Sequence, residues 1–285
     1  MAIDYLSLST TPIILRNNDT VVSQGTGFLF LRERENEQVL FLVTNYHVLT
    51  GSAPEKKEPP KSNNIEWFFH TDKDDSSKLK PIRFPLFNRE GKPIWLTSNS
   101  CPEADLAVIP IPNKLAKDCV INCICEQWHT ESDLVVRPTT TGTLVGYPYG
   151  FYDKKNSLPV WKTGSIASEP EVDFDGKPYF LLDISAFPGM SGSPAFGIAS
   201  GTYESTTGVT KVGSVRKFLG IYASMQMLNK QMYLEQIVHA DPKLGVNSQE
   251  SLELGHVWKA ELVIELINSV DTKKYNQEIL AKLWA

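Results

Sequence analysis

The chain has 285 residues, of which 41% are hydrophobic and 21% charged, and a formal net charge of −5. That length can bury a sizeable core, and the composition is that of an ordinary globular protein. The acidic balance excludes the basic surplus that marks nucleic-acid binders, and no charge-free apolar run reaches membrane-spanning length.

The opening stretch, MAIDYLSLSTTPIILRNND, lacks the basic start, apolar run and cleavage site of a signal peptide, so a soluble cytoplasmic protein is expected. Strand-like runs follow one another: TGFLFL, QVLFLVTN, IEWFFH, LAVIPI, GTLVGYP, YFLLDIS and KFLGIYAS. Each is short and rich in β-branched and aromatic residues, and turn-forming segments such as RNND, NREGKP and DFDGKP separate them. No helical pattern alternates with them before about Gln226, which predicts an all-β sandwich or barrel arrangement. After Ser224 the texture changes. MQMLNKQMYLEQIVHA and SLELGHVWKAELVIELINSV have helical spacing, with Leu254, Trp258, Leu262 and Leu266 four residues apart. TKKYNQEILAKLWA predicts a last helix with Tyr275, Ile279 and Leu283 on one side. These apolar faces are expected to pack on the β body, with a protein-partner surface as the alternative.

Cys119, Cys123, Cys125 and His129 form a C-x3-C-x-C-x3-H run. The spacing is not a usual zinc pattern, and the alternation in CVINCIC reads instead as a strand with Cys119, Ile121, Cys123 and Cys125 on one face. No metal or organic cofactor is implied, and the cysteines, Cys101 included, are expected to be reduced.

The chemistry concentrates in FPGMSGSP, which places Ser191 and Ser193 among glycines and prolines. A serine hydroxyl needs a base to take its proton and a third group to orient the base. His47, where the apolar run FLVTNYHVL meets a polar break, can be held rigidly enough to be that base. Asp105 opens the apolar run of EADLAVIPIP, and a partly buried carboxylate needs a partner. His70, His129, His239 and His256 have no comparable framing.

Taken together, the blocks GTGFLF, VTNYHVL, ADLAVI, VGYPYG, KTGSIAS, PGMSGSP and FLGIYAS resemble, in order, those of the chymotrypsin-like serine proteases. The nearer likeness is to the HtrA-type, trypsin-like peptidase branch, without the PDZ module common there. The order His, Asp, Ser fits this family; α/β-hydrolases use Ser, Asp, His, which here would be Ser191, Asp241 and His256. The resemblance implies two six-stranded antiparallel β-barrels with C-terminal helices: a first barrel with its linker over residues 1–125, a second over 126–225, and a helical extension over 226–285. It implies a serine endopeptidase acting on protein or peptide substrates. Ser191 would be the nucleophile, His47 the general base, and Asp105 the group that orients it. The N–H groups of Gly189 and Ser191 would form the oxyanion hole. Ser185 would lie near the base of the primary substrate pocket, with Ala223, Ser224 and Met225 along one wall, favouring small or medium apolar side chains. Met190 stands where the family has asparagine or aspartate, so an ion pair with a freed amine cannot fix the oxyanion loop. The alternative is a trypsin-like binding module that is catalytically silent or activated by a partner.

Overall fold

The computed structural model describes residues 3–35, 37–56, 58–233 and 245–284. The first half holds β1 (Thr10–Asn17), β2 (Thr20–Arg34), β3 (Glu37–Thr44), β4 (Asn64–His70), β5 (Leu79–Pro85), β6 (Ala107–Pro110) and β7 (Ile124–Cys125). The second holds β8 (Thr141–Gly146), β9 (Val160–Ile166), β10 (Tyr179–Asp183), β11 (Pro194–Glu204), β12 (Thr210–Tyr233) and β13 (Gly245–Lys259). The fold is therefore mostly β, in two sheets dominated by antiparallel pairs.

The second sheet closes into a six-stranded barrel in the order β10-β13-β12-β11-β8-β9. The first is a seven-stranded sheet, in the order β5-β4-β1-β2-β3-β6 with β7 paired to β2 off that path, and its hydrogen-bond ladder stays open. The long connection from β5 to β6 adds only isolated bridges such as Leu96–Val108, so β5 and β6 do not meet along a ladder. The cysteine-rich run also pairs less than its alternation predicts. Ile124 and Cys125 pair in parallel with Phe30 and Leu31 of β2, and Val120 adds a single isolated bridge to His70 of β4.

β2 and β3 explain why their sequences read as unbroken apolar runs. Leu29, Leu40 and Leu42 face the interior of the first sheet with Ile13, Trp67 and Phe84. Phe28, Phe30, Phe41 and Val43 face the other way, into a layer shared with Phe196, Phe218, Ile221 and Trp258 of the second barrel. Strands buried on both faces lose the polar alternation of a half-exposed strand. Phe218 is the hub of that layer, with its ring centroid 5.7 Å from Phe28 and 5.6 Å from Phe196. A phenylalanine buried this way contributes about 1.5–3 kcal/mol.

The helical reading is wrong for residues 226–233 and 245–259. β12 runs on to Tyr233 and pairs antiparallel with β13, from Tyr233–Gly245 back to Gly220–Lys259. Spacing by four is the reason: residues four apart share a face in a strand as well as in a helix. Leu254 and Trp258 sit on β13, and only Leu262 and Leu266 are on a helix, Ala260–Ser269. The second barrel thus extends past residue 225, and the stretch 234–240 of the first predicted helix lies outside the described residues. The C-terminal apolar faces do pack on the body. Leu262, Val263, Leu266 and Ile267 join the shared layer, while Tyr275 and Leu280 return to the core of the first sheet. Buried Arg32 of β2 donates to the carbonyls of Ile267 and Val270 at 2.8 and 2.9 Å, placing a cation at the negative end of that helix. Among the described residues no helix is long and apolar enough to cross a membrane.

Candidate active site

β3 delivers His47. The strand ends at Thr44, and a single helical turn, Tyr46–Thr50, follows. Gly51, at φ +80°, closes that turn by donating its N–H to the His47 carbonyl at 2.7 Å. Asp105 lies just before β6, the neighbour of β3 in the sheet. Its carboxylate meets His47 twice: Oδ1 accepts the His47 backbone N–H at 2.9 Å, and Oδ2 is 2.5 Å from the ring Nδ1. The Asn45 amide donates to the Asp105 carbonyl at 2.5 Å, fixing the backbone beneath the carboxylate. With Nδ1 taken up by Asp105, Nε2 is the ring nitrogen left to exchange a proton.

Ser191 sits on the tight turn between β10 and β11. Its hydroxyl donates to the carbonyl of Ala223 on β12 at 2.8 Å. Ala223 also lines the same cavity as His47 and Asp105, about 460 Å³ in volume, so the hydroxyl reaches the wall of the space that His47 faces. Gly192, at φ +89°, lets the turn press against the first sheet; a Cβ there would overlap the Thr26 carbonyl and crowd the Thr44 hydroxyl.

Met190 does not leave the turn unsupported. Its side chain is fully buried in the core of the second barrel, where an aspartate would need a cation. Thr26 of β2 takes over the tethering. Its N–H donates to the Ser191 carbonyl at 2.9 Å, and its hydroxyl donates to the Gly189 carbonyl at 2.7 Å while accepting from the Tyr147 N–H at 3.0 Å. The Tyr149 N–H donates to the Pro188 carbonyl at 2.6 Å. Gly189, at φ +96°, passes so close to Tyr147 and Tyr149 that a Cβ would strike their backbone. Neither the Gly189 nor the Ser191 N–H has a partner among the described residues, so both donors are open. Ser193 is buried with its hydroxyl unpartnered and tucked against Gly146.

The predicted pocket residues are less enclosed. Ser185 is exposed, with buried Ile184 and Ala186 on either side, rather than set on a closed floor. Met225 packs on the barrel core, and buried Tyr222 lays its ring over Gly255. Thr26, Tyr149 and Tyr222 were not singled out by sequence. Thr26 lies inside the GTGF block and Tyr149 inside YPYG, but one threonine or tyrosine carries no signal until its partners are known.

Among the described residues no three histidine, cysteine or acidic groups lie close enough to hold a metal. Burial pushes the Cys123 thiol up to about 11, so it stays protonated, and it neighbours the Tyr5 hydroxyl. His129 bonds the Phe218 carbonyl and Glu261 instead. His256 touches Ser224, not Ser191, through Nδ1 at 3.1 Å, and Asp241 lies outside the described residues.

A family model described as a trypsin-like peptidase domain matches residues 25–202, more than half of the chain, including His47, Asp105 and Ser191. The chain belongs to the trypsin-like peptidase family. It is a serine protease, a hydrolase of the trypsin fold. Several solved protease structures are similar to it. The Rv3671c protease of M. tuberculosis H37Rv, in an inactive form, is 16% identical with a TM-score of 0.43, over 93% of this chain and 90% of that one. A serine endoprotease from Yersinia pestis is 12% identical with a TM-score of 0.43, over 98% of this chain and 68% of that one. The thermostable serine protease AL20, from an extremophilic microorganism, is 10% identical with a TM-score of 0.47, over 94% and 99%. No curated protein is similar enough to this trypsin-like peptidase to match it.

Proposed function

We propose that this trypsin-like peptidase cleaves peptide bonds through a His47–Asp105–Ser191 triad and an acyl-enzyme intermediate. Rotation about the Ser191 Cα–Cβ bond carries its hydroxyl from the Ala223 carbonyl to Nε2 of His47. The oxygen attacks the scissile carbonyl as its proton passes to Nε2, and Asp105 stabilises the resulting imidazolium. The developing oxyanion is held by the open N–H groups of Gly189 and Ser191. His47 then gives its proton to the leaving amine, and the C–N bond breaks. Water, deprotonated by His47, attacks the ester, and Ser191 leaves with the returned proton. The observation that carries this reading is the doubly bonded His47–Asp105 pair facing the cavity wall that receives the Ser191 hydroxyl.

Substrate choice follows from what fills the second barrel. The packing of Tyr222 and Met225, both on β12, against the barrel core supports a small or medium apolar residue before the scissile bond. No acidic side chain at Ser185 is available to hold lysine or arginine there.

A fluorophosphonate probe tests the reading. We expect stoichiometric labelling of Ser191, none in Ser191→Ala, and labelling and peptidase activity largely kept in Ser193→Ala. Folded wild-type protein that takes no label would leave the binding-module reading instead, and full activity in Ser191→Ala would remove Ser191 from the mechanism.

A further inference from the structure

Beside the Ser191 turn lies an exposed aromatic pair that the triad does not use. Tyr149 and Phe187 are 70% and 43% exposed, and their ring centroids are 5.7 Å apart. Lys162 places its Nζ 4.8 Å from the Phe187 centroid, which fixes that ring in turn. Exposed aromatic rings grouped in this way mark contact surfaces more often than scattered ones do.

The pair is wired to the oxyanion hole through the backbone. The Pro188 carbonyl accepts the Tyr149 N–H at 2.6 Å. In a trans peptide the N–H points opposite to the carbonyl, so this bond aims the Gly189 N–H away from Tyr149 and toward the catalytic face. Tyr149 makes the bond from a left-handed backbone, φ 49° and ψ 21°. For a residue with a Cβ that conformation is disfavoured and persists only where its surroundings enforce it. Turn bonds from the Phe151 and Gly150 N–H groups to the Pro148 and Tyr147 carbonyls hold the backbone there, and the ring contact with Phe187 adds a side-chain restraint. Without it, Tyr149 relaxes toward negative φ, its N–H leaves Pro188, and the Gly189 peptide is free to turn.

We propose that Tyr149 is a positioning residue for the oxyanion hole, and that an apolar substrate side chain just after the scissile bond docks on Tyr149 and Phe187 and holds the hole in its working shape. The occupant is assigned by continuity with the site. The cavity beside His47 is lined by neither ring, but by Ser224, His256, Trp258 and the segments around Ala53 and Lys177. A peptide that lays its acyl part along that cavity and passes Ser191 leaves its leaving part for the rings. Binding energy gained there is spent on holding the transition-state donors, so it enters kcat rather than KM.

This inference rests on the peptidase reading, and one set of peptides separates the two. Peptides differing only in leucine or glycine just after the cleaved bond are compared on the full chain. Wild type is expected to favour leucine by about tenfold in kcat, with KM changed less than about twofold. Tyr149→Ala and Phe187→Ala bring that ratio to about one, with the melting temperature unchanged and fluorophosphonate labelling slower but still reaching one probe per chain, while Tyr149→Phe keeps the ratio. A wild-type ratio near one, a ratio carried in KM alone, or a ratio that survives both alanine variants overturns the proposal while leaving the peptidase intact. A wild type that cleaves neither peptide and takes no label overturns the peptidase reading, and this inference with it.

Discussion

In the first sheet, His47 and Asp105 are joined by two hydrogen bonds, and Asn45 supports the aspartate from below. In the second barrel, the Ser191 hydroxyl is bonded to a carbonyl of its own barrel, and its turn is tethered by Thr26 and Tyr149. The first arrangement is a set of side-chain bonds between neighbouring strands. The second is a loop held by the backbone and hydroxyl of Thr26, from the other half of the molecule, and by the backbone of Tyr149, from its own barrel. The His47–Asp105 pair, our proposed general base and its orienting group, is therefore assembled within one sheet, whereas the turn of Ser191, our proposed nucleophile, depends in part on Thr26 from the other half.

The largest expected effect falls on the first sheet. Asp105→Asn keeps the size of the side chain but presents a donor where the His47 ring must donate, which selects the wrong tautomer. We expect kcat to fall by about 10⁴-fold with little change in melting temperature. A fall under about tenfold would mean that His47 is oriented by something other than Asp105.

The second barrel breaks differently. Met190→Asp restores the residue type that other family members use, but here it buries a carboxylate with no cation. It is expected to destabilise the fold by about 3–5 kcal/mol in urea unfolding, against less than about 1.5 kcal/mol for Met190→Leu. An aspartate variant as stable as wild type would show that the turn accepts an ion pair after all.

The smallest effect tests the seam between the halves. His129, between the two sheets, pairs with Glu261 on the C-terminal helix through Nε2 at 3.2 Å. The hydrogen bond to Glu261 raises the imidazole above its ordinary 6.5, and the same bond holds the carboxyl below its ordinary 4.5. The pair's contribution is therefore lost as pH rises through the raised histidine value, and again as pH falls through the lowered glutamate value. Because Glu261 is well exposed, we expect His129→Gln to cost at most about 0.5 kcal/mol near pH 6, and less near pH 9. Melting curves across that range with identical wild-type and variant slopes would remove the pair from the pH dependence.

The parts legible in sequence were those that local chemistry dictates. The strand runs are apolar on both faces because β2 and β3 are buried on both faces. The His, Asp and Ser blocks stand at strand ends because that is where a rigid sheet presents a side chain. The C-terminal strands were illegible because spacing by four fits a strand and a helix equally, so Leu254 and Trp258 could not say which they belonged to. What replaces the missing acidic residue at Met190 was illegible for another reason. It is a set of contacts from Thr26 and Tyr149, more than a hundred and about forty residues away in sequence, and two of them are made by backbone N–H groups that every residue except proline carries.

Arg32 and the returning C-terminal segment carry a consequence for how the molecule comes into being. The core of the first sheet includes Tyr275 and Leu280, and the Tyr275 hydroxyl donates to the Ile94 carbonyl at 2.5 Å. On the ribosome, His47 and Asp105 emerge long before these residues do. The half that holds His47 and Asp105 therefore lacks part of its interior until residues 260–284 have been made and folded back onto it. The sheet whose strands are made first is thus among the last parts of this chain to close its core.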